Sequence, residues 1–231
     1  MKDIVEYLSN FTMPERMQLF ENLVKDRTNY IKMVIEDLYQ PHNISAVLRS
    51  CDCFGVQNIH VIENRNEYET NMDIDMGSSK WVNVIRHNGE ANNTRSALRQ
   101  LKSEGYRIVA TSPHTNDVLL NDFDVTKGKF AFVFGNEKDG ISDIVREEAD
   151  EFVRIPMYGF TESFNISVSA ALCLQYATNE IRKQNAPWQL TEIEHYDILH
   201  TWLCRSIRNA EMLEAHYYLM RNEELIIKNE E

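Results

Sequence analysis

The 231-residue chain carries 24 Lys and Arg against 36 Asp and Glu, a formal net charge of −12, and 43% of its residues are hydrophobic. That is ample core for one large domain, or one domain with helical extensions. The acidic balance by itself argues against a nucleic-acid partner, no apolar run approaches the roughly 20 residues of a membrane span, and Cys51, Cys53, Cys173 and Cys204 contain no CxxC and read as reduced cytosolic thiols.

The opening MKDIVEYLSNF carries acids and lacks a long apolar run, so no signal peptide is expected. Thr12 and Glu15 have the spacing of a capping box, and Met17, Leu19, Phe20, Leu23 and Val24 recur at helical intervals. Residues 1–29 are therefore expected to form an N-terminal helical extension. KMVIEDL, from Lys32, reads as a strand. PHNISAVLRSCDCFG follows as a helix with Ile44, Val47, Leu48 and Cys51 on one face, Asn43 as its N-cap and Gly55 as its stop. VQNIHVIE is the next strand, so strand, helix and strand form a βαβ unit with parallel pairing. WVNVIR, YRIVATS, KFAFVFG and DEFVRIPM read as further strands. TRSALRQLKSE, stopped by Gly105, and NISVSAALCLQYATNEIRKQ read as helices. The alternation predicts an α/β fold over residues 30–186, a mainly parallel sheet covered by helices. Residues 187–231 are expected to form an acidic, amphipathic C-terminal helical extension.

Three polar stretches fall at the predicted C-terminal ends of strands, where open α/β sheets collect their ligands. Asn43 and Arg49 lie in PHNISAVLR. FGNEKDGIS spaces Gly135 and Gly140 as a P-loop does, but Ile141 stands where the lysine would be, so nucleotide hydrolysis is not expected. No GxGxxG occurs. Ser163 and Asn165 lie in IPMYGFTESFNISVSAAL. Each stretch alone reads as ordinary caps and turns; together they suggest one convergent site of Asn, Arg, Glu and Ser.

In this order the three stretches resemble the three motifs of the SpoU (SPOUT-class) RNA 2′-O-methyltransferases. The first motif, N-x-x-x-x-x-R, matches Asn43 and Arg49. The second, G-x-E-x-x-G-[IL], matches Gly135, Glu137, Gly140 and Ile141. The third runs from Ile155 to Ala171, with Phe164 where leucine is usual and Ser169 where alanine is usual. The resemblance covers roughly residues 30–185. With GSSKWV (77–82) and the helical extensions, it is nearest the branch that methylates guanosine 18 in the D loop of tRNA.

The resemblance implies a C-terminal trefoil knot, a homodimer, a cytoplasmic protein acting on tRNA, and an S-adenosylmethionine pocket. The pocket would be built from Thr111, Gly135, Asn136, Gly140, Ile155, Met157 and Phe164. It implies catalytic work by Arg49, Asn43, Glu137, Ser163 and Asn165; no metal is implied, since the seven histidines form no ligand spacing. A guanidinium is too basic to be an ordinary general base, so Arg49 is expected to grip RNA phosphate and stabilise the developing alkoxide. RNA contacts are expected from Arg16, Arg205 and Arg208. Arg95, Arg99 and Lys102 are expected about equally to be a solvated helix face. Ribosomal RNA, the tRNA wobble ribose, or an inactive RNA-binding module are the alternatives.

Overall fold

The computed structural model describes residues 1–69, 76–112 and 117–230, with residues 222–230 by backbone alone. The side chains of the acidic tail lie outside that description. The chain divides into two compact units, Thr28–Trp188 and a second in which Met1–Arg27 packs with Gln189–Glu231.

Among the described residues of the first unit, seven strands form one sheet. They are β1 (Ile31–Glu36), β2 (Asn58–Ile62), β3 (Asn83–His87), β4 (Arg107–Thr111), β5 (Val118–Leu119), β6 (Phe130–Phe134) and β7 (Glu151–Arg154). Their order is β3-β2-β1-β6-β4-β7-β5, and every pairing is parallel. The helices are α3 (Pro41–Cys53), α4 (Thr94–Ser103), α5 (Asp143–Glu148) and α6 (Ile166–Lys183). Every residue of β1 and β6 is buried, as expected of central parallel strands covered on both faces.

Alternation along those strands divides the core in two. Met33, Ile35, Phe130, Phe132 and Phe134 face α3 and α6, where Val47, Leu48, Cys51, Cys173 and Leu174 complete the packing. Val34, Ala131 and Val133 face the other way, against Leu98 and Leu101 of α4 and Val145 of α5. The β1–β6 register sets Ile35 beside Phe134, and the β4–β7 register sets Thr111 beside Val153. The C-terminal ends of the central strands thus open onto one edge.

Two helix starts differ from the sequence expectation, both for the same reason. Proline's fixed φ suits the first helical position. Pro41 takes that position in α3, so Gln40 is the N-cap and Asn43 lies inside the first turn. Pro14 does the same in α2 (Pro14–Leu23), with Met13 as N-cap, and Thr12 makes no capping box. Gly55 does end α3, at φ +76°, with its amide and that of Val56 bonded back to Asp52 and Cys51. The strand Val118–Leu119 was not expected; two residues leave no periodic trace.

The second unit contains α1 (Lys2–Ser9), α2, α7 (Glu192–Ser206) and α8 (Ala210–Glu230). Ile4, Val5, Leu8, Phe20 and Trp202 are buried. The Phe20 and Trp202 rings lie 5.5 Å apart, and the Arg27 guanidinium stands 5.1 Å from the Trp202 ring. Leu19 and Leu23, read as core from their spacing, are exposed. Thr191 and Glu194 form a reciprocal capping box at the start of α7. Among the described residues, no helix is long and apolar enough to cross a membrane.

Candidate active site

A cavity of about 530 Å³ opens where β4, β6 and β7 end. Three segments wall it: Thr111–Ser112, the β6–α5 loop from Gly135 to Ile141, and the stretch from Ile155 to Ser169.

The β6–α5 loop crosses itself. A Cβ built on Gly135 would lie 1.9 Å from the Gly140 carbonyl oxygen and 2.2 Å from the Ile141 nitrogen. No side chain fits there, which explains the first glycine. Gly140 takes φ +70°, a left-handed conformation that explains the second. The amide of Asn136 donates to the Gly140 carbonyl at 3.0 Å, and the amide of Gly140 returns the bond at 3.1 Å. Inside the loop, Asn136 Oδ1 accepts from the amides of Lys138 and Asp139 at 2.9 and 2.6 Å.

That closure carries Glu137 to the start of α3. Its carboxylate accepts from Asn43 Nδ2 at 2.8 Å and from the amides of Tyr39 and Gln40 at 3.2 and 3.4 Å. Burial pushes the Glu137 carboxyl up, but these donors outweigh it and hold the group below the usual carboxylate range. Asn43 in turn accepts from Asn165 Nδ2 at 3.2 Å. Asn165 caps α6, accepting from the amide and hydroxyl of Ser167 at 2.8 and 2.6 Å. One polar chain, Glu137–Asn43–Asn165, therefore joins all three sequence stretches.

Thr111, Gly135, Asn136, Glu137, Gly140, Ile155, Met157, Ser163, Phe164 and Asn165 all line the cavity. Thr111 Oγ1 donates to the Val133 carbonyl at 3.1 Å, fixing β4 to β6 at its mouth. Asn43 and Arg49 are not in the lining. Asn43 lies buried behind it. Arg49, six residues on and about 120° around the helix, is exposed. No hydrogen bond or ion pair engages it among the described residues. Arg16, Arg205 and Arg208 are exposed in the helical unit. Trp202, three residues before Arg205, belongs to the core.

The α4 cations form the solvated, paired face that was one of the two expectations for them. Arg95 bonds Glu147 and Glu148 at 2.5 and 2.6 Å. Arg99 bonds Glu148 at 3.1 Å, and Lys102 bonds Asp150 at 3.1 Å.

One supporting residue escaped the sequence reading. Glu36, buried at the end of β1, accepts from the Ser142 amide and hydroxyl at 3.0 and 2.8 Å and from Thr94 Oγ1 at 2.6 Å. Ser142 is the N-cap of α5, accepting from the Val145 amide. Glu36 thus anchors the far end of the cavity loop. An acid ending an apolar strand was the available signal.

Comparison with known proteins places these features in a family. The model of the SpoU rRNA Methylase family matches residues 30–175. The tRNA (guanosine(18)-2′-O)-methyltransferase of Borreliella burgdorferi is 36% identical over 207 residues, covering 90% of this chain and 93% of the relative. The solved TrmH/SpoU tRNA modifying enzyme of A. aeolicus superposes with a TM-score of 0.74 at 28% identity, covering 84% of this chain and 98% of that one. The SpoU methyltransferase AviRb of Streptomyces viridochromogenes, solved in complex with AdoMet, shares the fold with a TM-score of 0.59 at 22% identity, over 70% of this chain and 64% of that one.

Proposed function

We propose the function that follows from one premise: this chain belongs to the SpoU methylase family. It transfers a methyl group from S-adenosylmethionine to a ribose 2′-oxygen of tRNA, at guanosine 18 of the D loop. The relative similar over nine-tenths of the chain carries that activity in its name.

The observation that carries the reading is the self-crossing loop Gly135–Ile141 beside the Glu137–Asn43–Asn165 chain. The cavity volume lies in the range of small-molecule sites. Ile155, Met157 and Phe164 offer apolar walls to a flat base. The loop that Gly135 allows, Gly135–Ile141, supplies a further part of the lining. When bound, the sulfonium supplies an already activated methyl group. The chain's own task is to place the ribose hydroxyl in line and manage its proton. Arg49 is always cationic and, among the described residues, has no internal partner. It suits a bidentate grip on RNA phosphate and stabilisation of the forming alkoxide. Glu137, held ionised by three donors, is a weak base; it fixes the start of α3, the helix that carries Arg49. Ser163 and Asn165 orient the substrate from the third segment.

The same reading includes a homodimer, a trefoil knot and a cytoplasmic site of action. Among the small residues of α6, Ala170 is fully buried and already packed inside the unit. Support for pairing comes from Val168 and Leu172, exposed one turn apart on α6. The knot rests on the family membership alone. Arg16, Arg205 and Arg208 supply RNA contacts.

The test is direct. Purified protein, labelled S-adenosylmethionine and total RNA are incubated, and the modified ribose is mapped. Label at guanosine 18 of tRNA is expected. Label in ribosomal RNA or at the wobble position would move the substrate, and no label at all would leave an RNA-binding module.

A further inference from the structure

His200 and Cys204 stand one turn apart on α7, and Glu214 faces them from α8. His200 Nε2 lies 2.6 Å from Glu214 Oε1 and 3.6 Å from Cys204 Sγ. The three candidate ligand atoms lie within 4.8 Å of one another, and all three residues are half-buried. None of them lines the cavity. The sequence reading found no ligand spacing among the histidines, because the i, i+4 pair His200/Cys204 is only two-thirds of the group and its third member comes from another helix.

We propose that His200, Cys204 and Glu214 form a binding site for a divalent transition metal of borderline softness, zinc in the first place. Imidazole nitrogen, thiolate sulfur and carboxylate oxygen are zinc's three protein donor types. Magnesium and calcium prefer all-oxygen shells and are excluded by the donor set. Tetrahedral zinc, with Zn–S of about 2.3 Å and Zn–N of about 2.0 Å, requires its nitrogen and sulfur ligands about 3.5 Å apart. The His200–Cys204 separation already meets that. The shorter His200–Glu214 separation is a hydrogen bond, and the shared proton occupies the metal's direction. Opening it by rotating the Glu214 side chain admits the cation. A neutral imidazole, a thiolate and a carboxylate carry two negative charges, which balance the ion. Three protein ligands leave one position for water. The ion would clamp α8 onto α7 within the helical unit. Because the thiol must lose its proton, apparent affinity should rise by about tenfold per pH unit near neutrality.

The experiment uses the full chain after chelator dialysis. Titration with Co²⁺ should saturate at one equivalent, with a thiolate-to-cobalt charge-transfer band and the intense visible bands of tetrahedral coordination, and Zn²⁺ should displace it. Cys204→Ser should remove the charge-transfer band, and Glu214→Gln should weaken binding at least tenfold. Cys53→Ser, at an exposed cysteine outside the group, should change neither. Independently of any variant, Zn²⁺ should protect Cys204 of the unaltered protein from alkylation, read by peptide mass. Absence of a cobalt band, its survival in Cys204→Ser, or alkylation of Cys204 indifferent to Zn²⁺ would each overturn the proposal and leave a hydrogen-bonded helix contact.

Discussion

Glu137 and Asn43, 94 residues apart in the chain, are joined by a 2.8 Å hydrogen bond from the amide of one to the carboxylate of the other. It couples the loop after β6 to the first turn of α3. Removing the acceptor leaves Asn43 Nδ2 and the amides of Tyr39 and Gln40 without it. Glu137→Ala should therefore lower stability by about 1–2 kcal/mol and cut methyl transfer far more than cofactor affinity. Denaturant titration and calorimetry read the two effects; equal losses of turnover and cofactor binding would make Glu137 a cofactor ligand instead.

Arg49→Ala should cost at least about 100-fold in methyl transfer while shifting stability by no more than about 0.5 kcal/mol, as for an exposed residue without special contacts. Single-turnover assays and melting curves check this. Turnover within a few-fold of the parent would remove Arg49 from the mechanism.

Gly135→Ala forces a Cβ to within 1.9 Å of a backbone carbonyl oxygen. Neither side of that contact is a flexible side-chain tip, so the loop must open. Cofactor affinity should fall at least about tenfold, measured by calorimetry on folded variant. Unchanged affinity would show that the crossing does not shape the binding surface.

Acid should weaken the fold through His60. Burial first, then the nearby charges of Lys32 and His87, lower its pKa from 6.5 to about 3. Its Nδ1 lies 2.9 Å from His87 Nε2, and its other ring nitrogen is buried without a partner among the described residues. Between those pKa values the unfolded chain holds a proton that the folded chain refuses. Stability is thus full above pH 6.5 and falls as pH drops toward 3, by up to about 1.4 kcal/mol per unit. Urea unfolding at pH 7, 6 and 5 tests the slope, and His60→Gln should flatten it.

Charge reversal separates RNA contacts from internal ion pairs. Arg205→Glu with Arg208→Glu should weaken tRNA binding and flatten its salt dependence by about 0.7–0.9 per lost phosphate contact. Arg95→Glu with Arg99→Glu sets new acids against Glu147 and Glu148, so it should lower stability and leave the salt slope alone. The opposite pattern would move the RNA surface to α4.

The strands were legible because two-sided burial writes apolar runs such as FAFVF and MVI. The three site stretches were legible as polar endings to such runs. What joins them was not. The Glu137–Asn43 bond spans 94 residues, and no local pattern records which polar side chain another will meet. Asn43 illustrates the limit: read as a cap, it has a role only because Pro41 starts the helix before it. Glu36 was hidden for the opposite reason, since burial made it look like the tail of a strand rather than the anchor of α5.

The helical unit is built from two segments far apart in sequence: α1 and α2 pack with α7 and α8, which follow them only after the residues of the sheet unit. During synthesis, Phe20 emerges long before Trp202, the ring it packs against. The first helices must wait, with Ile4, Val5, Leu8 and Phe20 uncovered by their later partners, until α7 and α8 have been made. The sheet unit can collapse in the meantime. Ribosome stalling before α7 would therefore leave the apolar faces of α1 and α2 uncovered, a surface that a chaperone would have to shield.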